Sequence, residues 1–356
     1  MLLHTLVRAW RGIRPADRLD VVAFRGGELE TDVARAADSS TVLLDPGEAW
    51  DHASPDPARV AAVRARASRV PAADATLLVS VAAGQCLPLL EDGGPVITWA
   101  VEQGEDLHWI RGPVDVAGRT DRWLAGSRGT ADELRTLLDD GAAVAVAPEF
   151  VDPPHEDPGA VAARRAELVP DGSLLVVGAG IGTWRKAPDL FVEVAMQVAE
   201  VGGRPVYHVW VGGERDPLVP RLREDVAHLG VGDRVRFLRN IPDLGSVLAA
   251  ADACCHPARL DAFPLVCLHS AAAGTPVVAF SDAGGVPEML ADGFRGAPYP
   301  DVAGLAEALR SVLADGAEVA AAQRRAVQGH LAPGAARAVV DEVTQLAEDA
   351  ARERRP

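Results

Sequence analysis

Cysteine is scarce in this sequence. The 356 residues include only four cysteines: Cys86, Cys254, Cys255 and Cys267. None belongs to a Cys-x-x-Cys pair, and two are adjacent, so neither a zinc site nor a disulfide framework is predicted. We interpret the four as small buried residues of a protein that works in the reducing cytoplasm.

Further absences narrow the range of partners. No apolar run reaches the roughly 20 residues that a bilayer span needs, and Arg8 and Trp10 interrupt the apolar start that a signal peptide requires. Basic residues are outnumbered, 35 against 51 acidic ones, for a formal charge of -16. Nucleic acid and anionic membranes both repel such a surface. We therefore expect no nucleic-acid partner, no integral membrane segment and a cytoplasmic location. No Asp-x-Asp sequence occurs, so we also expect no bound divalent metal.

Short apolar runs alternate with helical segments along the chain. Runs such as LDVVAF, TVLLDP and LLVVGAG are continuously apolar, which is typical of parallel strands buried on both faces. Helical segments such as PARVAAVRARASRV and DLFVEVAMQVAEVG lie between them, and this order predicts a doubly wound α/β sheet. The chain opens on the helical pattern LLHTLVRAW, whereas such a sheet normally opens with a central strand. The first strand is therefore predicted to be missing or misassigned, unless the first domain is built differently.

The length predicts two domains, at roughly 100–200 residues per domain. The proline-rich segment PEFVDPPHEDPG is interpreted as a stiff, non-helical connector between them. The predicted division is an N-terminal domain over 1–152, a linker over 153–165, a second domain over 166–335 and a C-terminal helix over 336–356.

The segment DAFPLVCLHSAAAGTPVVAF predicts an anion site at a helix start. Pro264 suits the first helical position, because its missing N–H needs no partner there. The N–H groups of Leu265, Val266 and Cys267 would then be free to bind an anion. Asp261 would repel that anion, so it more plausibly accepts hydrogen bonds from hydroxyl groups of the same ligand. A phosphate beside a polyol describes a nucleotide sugar; alternatively, Asp261 only stabilises the helix start.

The segment GAGIGTWRKAPDL places a glycine-rich loop after a strand. Such a loop can approach phosphates closely, and Arg185 and Lys186 would supply counter-charge to a diphosphate. The alternative is a flexible turn with a solvated basic pair. Gly178, Gly180 and Gly182 do not have the Gly-x-Gly-x-x-Gly spacing of a dinucleotide site.

The segment SDAGGVPE predicts a second anion-binding turn beside the first. Gly284 and Gly285 follow a strand and precede a helix, with Glu288 in its first turn. The alternative is an ordinary glycine turn followed by a helix-starting acid.

Together these segments resemble glycosyltransferase family 4, the group 1 glycosyltransferases, as a divergent member. RKAPDLF, HVWVGG, RVRFLRNIPD and HPARLDAFPLVCLHSAAAGTPVVAFSDAGGVPE match that family's second domain in order, from Leu174 to Leu290. The first half is similar only in outline. The resemblance implies a GT-B fold, in which two Rossmann-like doubly wound domains face a central cleft. It also implies sugar transfer with retention, without a metal or other cofactor, from a nucleotide-diphosphate sugar to a carbohydrate or lipid-linked acceptor, as in polysaccharide biosynthesis.

The resemblance also implies roles for individual residues. Lys186 falls on the family's phosphate-binding lysine, Asp261 on the first acid of its Glu-x7-Glu motif, and His269 on the second acid. The predicted catalytic residues are Asp261, Lys186 and Arg185, and no metal ligand is predicted. The predicted donor-binding residues are Gly180, Gly182, Gly212, Arg239, Phe263, Pro264, Leu265, Val266, His269, Gly284, Gly285 and Glu288.

Three functions remain open at this point. The first is an active retaining glycosyltransferase. The second is a catalytically degenerate relative that serves as a binding or scaffold protein, because the family's phosphate arginine is replaced by Gly-Ile-Gly, with only Arg185 as a substitute. The third is a nicotinamide-dependent oxidoreductase, which the spacing of the glycines disfavours.

Overall fold

The computed structural model divides the chain into two compact units. The first unit comprises Met1–Asp152 and Leu331–Pro356, and the second comprises Pro153–His330. The structure describes every residue except 46, 47, 49, 51–55, 91–93, 113, 139–141, 155, 156, 214, 215, 242 and 354–356.

Parallel strands and connecting helices alternate through both units. The strands are β1 (Asp20–Arg25), β2 (Ser39–Leu44), β3 (Thr76–Val79), β4 (Val96–Ala100), β5 (Arg122–Ala125), β6 (Val144–Val146), β7 (Leu174–Ala179), β8 (Glu200–Val201), β9 (Arg204–Val211), β10 (Val235–Leu238), β11 (Ala253–His256), β12 (Val277–Phe280) and β13 (Gly296–Ala297). The helices are α1 (Leu2–Ile13), α2 (Glu30–Ala36), α3 (Pro57–Ala67), α4 (Arg128–Leu137), α5 (Pro158–Leu168), α6 (Pro188–Gln197), α7 (Leu218–His228), α8 (Leu244–Ala249), α9 (Leu265–Ala273), α10 (Val286–Leu290), α11 (Val302–Asp315), α12 (Ala317–Ala326) and α13 (Arg337–Glu353). Short 3-10 helices cover Val81–Leu89, Gly104–Ile110, Ala117–Arg119, Ala291–Gly293 and Val327–His330.

The first unit contains two parallel sheets. Strands β1 and β2 form one, and β3, β4, β5 and β6 form the other in that order. Trp99 and Leu124 on the central strands are fully buried, as expected where helices cover both faces. Helix α1 contributes an apolar face that includes Leu6 and Trp10.

The second unit has one sheet with the order β10-β9-β7-β11-β12-β13. Leaving aside the short strand β8, this is the 3-2-1-4-5-6 order of a doubly wound nucleotide-binding fold. Phe191 and Trp210 pack edge to face beside β7, with ring centroids 5.4 Å apart. The doubly wound α/β fold class predicted from the sequence is therefore confirmed. Nowhere in the described chain is there a helix with the length and apolar content to cross a membrane.

Helix α5 (Pro158–Leu168) begins within the last two residues of the predicted non-helical connector and occupies 158–165 of the predicted linker over 153–165. Asp157 caps this helix by accepting a hydrogen bond from the N–H of Gly159 at 2.8 Å, and proline at the first position suits a helix start. Arg165 then donates to Asp252 at 2.8 Å. These contacts attach α5 to the second unit.

The end of α6 was also predicted wrongly. The helical pattern runs on to Gly202, but α6 ends at Gln197 and β8 pairs with β9 as an antiparallel hairpin. Gly202 and Gly203 both have left-handed backbone angles, with φ of 59° and 76°, which a two-residue hairpin turn requires.

The C-terminal segment packs with the first unit. The N–H of Ala332 donates to the carbonyl of Val151 at 2.9 Å, and Leu331 forms a β-bridge with the same residue. Farther along, Glu342 on α13 accepts a hydrogen bond from Arg122 at 2.8 Å. The second unit thus ends at His330, before the predicted limit of 335.

Candidate functional site

The candidate site lies at the carboxyl ends of β7 and β11, which are neighbours in the sheet. From β7 the chain proceeds to β9 on one side, and from β11 it proceeds to β12 on the other. The loops after these two strands therefore diverge, and in doubly wound sheets ligands bind in the crevice at such a switch point. The first loop carries Arg185 and Lys186, and the second carries Asp261.

Asp261 is the centre of a buried ion cluster and is only 6% exposed. The ammonium of Lys186 contacts its Oδ2, and Arg185 Nη1 lies 3.4 Å from its Oδ1. His256 Nε2 lies 2.9 Å from Oδ2. The structure thus brings together the three predicted catalytic residues, whose roles remain predictions, and adds a fourth side chain.

The cluster holds Asp261 ionised. Burial alone would raise the pKa of Asp261, but the positive charge of Lys186 and the contact with His256 lower it well below its usual range. The pKa of His256 is lowered, mainly by burial, and the charges of Lys186 and Arg185 lower it further against the raising effect of Asp261. At neutral pH the cluster therefore has two cations, one carboxylate and a neutral imidazole.

Sequence analysis missed His256. It is the last residue of β11, which otherwise consists of buried apolar residues. A polar residue that ends a buried parallel strand was the available signal, because the carboxyl edge of such a sheet is where ligands bind.

The start of α9 offers two free backbone donors. Pro264 is the N-cap residue rather than the predicted first helical residue, with φ −67° and ψ 110°, and the helix begins at Leu265. Among the described residues, nothing accepts a hydrogen bond from the N–H of Leu265 or Val266. The N–H of Cys267 donates to the carbonyl of Pro264 at 3.0 Å and so is not available, contrary to the prediction.

The backbone of Asp261 is fixed by the loop that follows β12. Its N–H donates to the carbonyl of Ala283 at 2.7 Å, and its carbonyl accepts from the N–H of Gly285 at 3.1 Å. A Cβ added at Gly284 would lie 1.9 Å from the carbonyl oxygen of Asp261, and the φ of this glycine is +129°. In the predicted second anion-binding turn, the N–H of Gly285 is therefore already bonded within the protein. Its glycines let the backbone after β12 approach the backbone of Asp261 closely. Glu288 lies in the first turn of α10, as predicted.

The other predicted glycines join two loops. Gly212 has φ +104°, and a Cβ there would lie 2.8 Å from the carbonyl oxygen of Gly180. That carbonyl also accepts from Trp210 Nε1 at 3.2 Å. The N–H of Gly182 donates to Asp216 Oδ2 at 2.7 Å. These residues hold the loop after β7 against the loop after β9.

The basic loop is also attached to the loop that carries Asp261. The N–H of Arg259 donates to the carbonyl of Arg185 at 2.8 Å, and Arg185 Nη1 donates to the carbonyl of Leu260 at 3.1 Å. The guanidinium of Arg259 binds both carboxylate oxygens of Asp189 and lies 5.0 Å from the ring centroid of Trp184. Both loops are therefore fixed relative to each other without a ligand.

The remaining three predicted donor-binding residues, Arg239, Phe263 and His269, make no contact with Asp261 in the ion cluster. Arg239 is exposed after the edge strand β10, two strands from β7, which corresponds to about 10 Å at the usual strand spacing. Phe263 is buried, with its ring 5.2 Å from that of His330. His269 lies one turn after Leu265 on the half-buried face of α9. Within the described ranges, no group of three or more His, Cys, Asp and Glu side chains is placed to hold a metal ion.

Solved structures similar to this chain define its fold. The HepE protein of Anabaena in complex with UDP-glucose has a TM-score of 0.75 and 21% identity, covering 99% of this chain and 96% of that chain. The sucrose-phosphate synthase from Thermosynechococcus elongatus has a TM-score of 0.76 and 20% identity, covering 97% and 92%. These neighbours are GT-B glycosyltransferases, and the fold of this protein is GT-B, as the resemblance implied.

Sequence comparisons define the family of the second unit. Residues 171–315 match the family model of the glycosyl transferases group 1. This stretch, which contains the whole ion cluster, belongs to that family, so the predicted family is confirmed. The D-inositol 3-phosphate glycosyltransferase of Nocardia farcinica is 34% identical over 217 residues, which are 57% of this chain and 47% of that protein. The corresponding protein of Geodermatophilus obscurus is 34% identical over 231 residues, 61% and 50% of the two chains. The chain spans about half the length of the curated relatives it matches.

Proposed function

We propose that this protein is a retaining glycosyltransferase that moves a sugar from a nucleotide-diphosphate sugar to a carbohydrate or lipid-linked acceptor. One observation carries the proposal: Lys186 and Arg185 meet the buried Asp261 at the switch point of a group 1 glycosyltransferase domain. The fold alone would be a weaker argument, because one fold serves many functions. The similar HepE structure contains UDP-glucose, which supports a uridine donor as the first candidate.

The cluster and α9 suit a diphosphate leaving group. Two cations outnumber one carboxylate, so the site carries a net positive charge before any ligand arrives. The free N–H groups of Leu265 and Val266 add the positive end of a helix dipole. Preorganised donors of this kind stabilise the charge that develops on a departing diphosphate. In this proposal Lys186 and Arg185 supply the cations.

Asp261 retains the capacity to bind a hydroxyl group. An ionised carboxylate offers about four acceptor sites. Lys186 and His256 both contact Oδ2, and Arg185 contacts only Oδ1, at the long distance of 3.4 Å. Oδ1 can therefore also accept from a hydroxyl of the donor sugar and orient that sugar for transfer.

The cluster contains no good general base for the acceptor. Asp261 has a strongly lowered pKa, which makes it a poor proton acceptor, and the pKa of His256 is lowered as well. We therefore propose that the departing phosphate itself accepts the proton of the attacking hydroxyl, that the anomeric configuration is retained, and that no metal ion takes part.

A catalytically degenerate binding protein remains the second candidate. Ile181, within the Gly-Ile-Gly that replaces the family's phosphate arginine, is 52% exposed and supplies no charge. His269 replaces a carboxylate that would bind a hydroxyl more strongly. A protein with these replacements could bind a nucleotide without transferring the sugar.

Calorimetry with UDP-glucose, GDP-mannose, ADP-glucose and NAD tests these functions. The transferase is expected to bind at least one nucleotide sugar and to hydrolyse it slowly, and proton NMR should find the released sugar first in the donor's anomeric configuration. Binding without hydrolysis would favour the degenerate protein. Binding of NAD alone would contradict both candidate functions. Release of the sugar with the inverted configuration would contradict the retaining mechanism.

A further inference from the structure

We propose that His256 is a positioning residue, which takes over the carboxylate of Asp261 when a bound diphosphate draws Lys186 away. The inference rests on the proposed function for its ligand, but its central claim, an exchange of partners at one oxygen atom, can be tested without any ligand.

The imidazole of His256 lies inside the protein and points at the site. Its side chain is 3% exposed, and Nε2 is 2.9 Å from Asp261 Oδ2. This contact does not have the geometry of a hydrogen bond, and Nε2 has no hydrogen-bond partner among the described residues. A buried ring nitrogen without a hydrogen bond costs free energy, so a state of the site in which it gains one is favoured.

Lys186 competes with His256 for one oxygen atom. Its ammonium contacts the same Oδ2 of Asp261. The two competitors differ in mobility, because Lys186 has a long side chain on a loop and is 17% exposed, whereas His256 is held in the buried strand β11. An arriving diphosphate can attract Lys186 through solvent but cannot displace the histidine.

The exchange solves an electrostatic problem. When Lys186 turns to a diphosphate, Asp261 becomes a buried carboxylate close to a new anion, which favours its protonation. A protonated Asp261 would be a weaker acceptor for the sugar hydroxyl. An N–H donated by His256 keeps the carboxylate ionised and fixes its orientation, while Arg185 stays on Oδ1. The neutral imidazole does so without adding a charge.

Thermal unfolding of the intact chain tests the exchange. Lys186→Met imitates the withdrawn lysine, His256→Phe removes the N–H but keeps a ring, and His256→Gln retains a donor at the position of Nε2. His256→Phe is expected to lower the midpoint by about 3 °C more in the Lys186→Met background than in the wild type, as the loss of one charge-assisted hydrogen bond predicts. His256→Gln should show little of this extra loss. Equal shifts in both backgrounds, or an equal extra loss in the Gln variant, would overturn the inference.

Calorimetry with UDP and UDP-glucose supplies a readout that a purely structural role would not change. In the His256→Phe variant, the affinity for UDP should stay near the wild-type value. The ratio of the affinity for UDP-glucose to the affinity for UDP should fall by about tenfold. The UDP-glucose affinity of this variant should also weaken more at acidic pH than that of the wild type, because Asp261 without the N–H of His256 is more easily protonated in the complex. An unchanged ratio between the two ligands would contradict the role of His256. A wild-type protein that binds neither ligand would contradict the proposed function for uridine donors, and the thermal comparison would then decide the role of His256 by itself.

Discussion

Replacing Lys186 with methionine should destabilise the protein and weaken donor binding for the same reason. Methionine preserves the length and most of the volume of the side chain but removes the cation that contacts Asp261. The carboxylate is 6% exposed, so water cannot replace the lost partner. Arg185 and His256 remain beside it and compensate in part.

The expected loss is about 3 kcal/mol at neutral pH, the lower end of the range for a buried ion pair that loses one partner. The pH dependence follows from the sign of the shift. The folded protein lowers the pKa of Asp261, so the ionised carboxylate stabilises the fold above the ordinary aspartate value of about 4, and that contribution is lost as the pH falls. A protonated Asp261 does not need the lysine. The difference between the variant and the wild type should therefore shrink as the pH falls from about 4 toward the lowered pKa of Asp261 in the folded protein.

Urea unfolding of the intact chain, followed by far-ultraviolet circular dichroism at several pH values, measures both effects. Arg35→Met is the matched control, because the Arg35–Asp32 pair is exposed and its loss should leave stability unchanged at every pH. Donor affinity, measured by calorimetry, should fall by more than about tenfold in the Lys186 variant. A pH-independent loss of stability would refute the electrostatic argument, and unchanged donor affinity would refute the assignment of Lys186 to the diphosphate.

Three further outcomes can be checked on the same preparation. Gly284→Ala should lower the unfolding midpoint strongly or prevent folding, because the new Cβ would meet the carbonyl of Asp261, whereas Gly232→Ala, with nothing within 4 Å, should be tolerated. Gln323→Leu should cost about 3 kcal/mol in urea unfolding and speed hydrogen exchange at Val277, since the buried amide bonds both the N–H and the carbonyl of that strand residue. Asp261→Asn should reduce the affinity for a nucleotide sugar more than that for the bare nucleotide, and equal calorimetric losses would contradict its role at the sugar.

The fold was predictable because its strands are buried on both faces. Every residue of β7 is buried, and a strand in that position must be apolar throughout, so the pattern is visible in the sequence. The turn between β8 and β9 was not predicted from the sequence. The helical spacing of α6 continues past its true end at Gln197, and the Gly202–Gly203 pair that forms the following hairpin turn is a short local signal after a longer periodic one.

The candidate site was predictable in part. Lys186 and Asp261 follow two strands that become neighbours in a doubly wound sheet, so the pattern of strands and loops was enough to bring them together. The contact of His256 with Asp261 depends on the path of the chain between them. That path is set by Ala283 and Gly285, which come from the loop after a different strand, and a single sequence does not specify such a long-range contact.

The contact between the backbone of Asp261 and the loop after β12 explains why the side chains of the cluster can exchange partners. The backbone of Asp261 is bonded on both sides to the loop after β12, through Ala283 and Gly285, so its position does not depend on Lys186. Lys186→Met therefore removes one partner from a carboxylate that stays in place. Gly284→Ala moves the carboxylate itself and should disturb every contact of the cluster together. The two substitutions could instead lower sugar affinity to the same degree without affecting the fold. The side-chain partners would then position the carboxylate of Asp261, and the argument that its backbone bonds allow the exchange would be wrong.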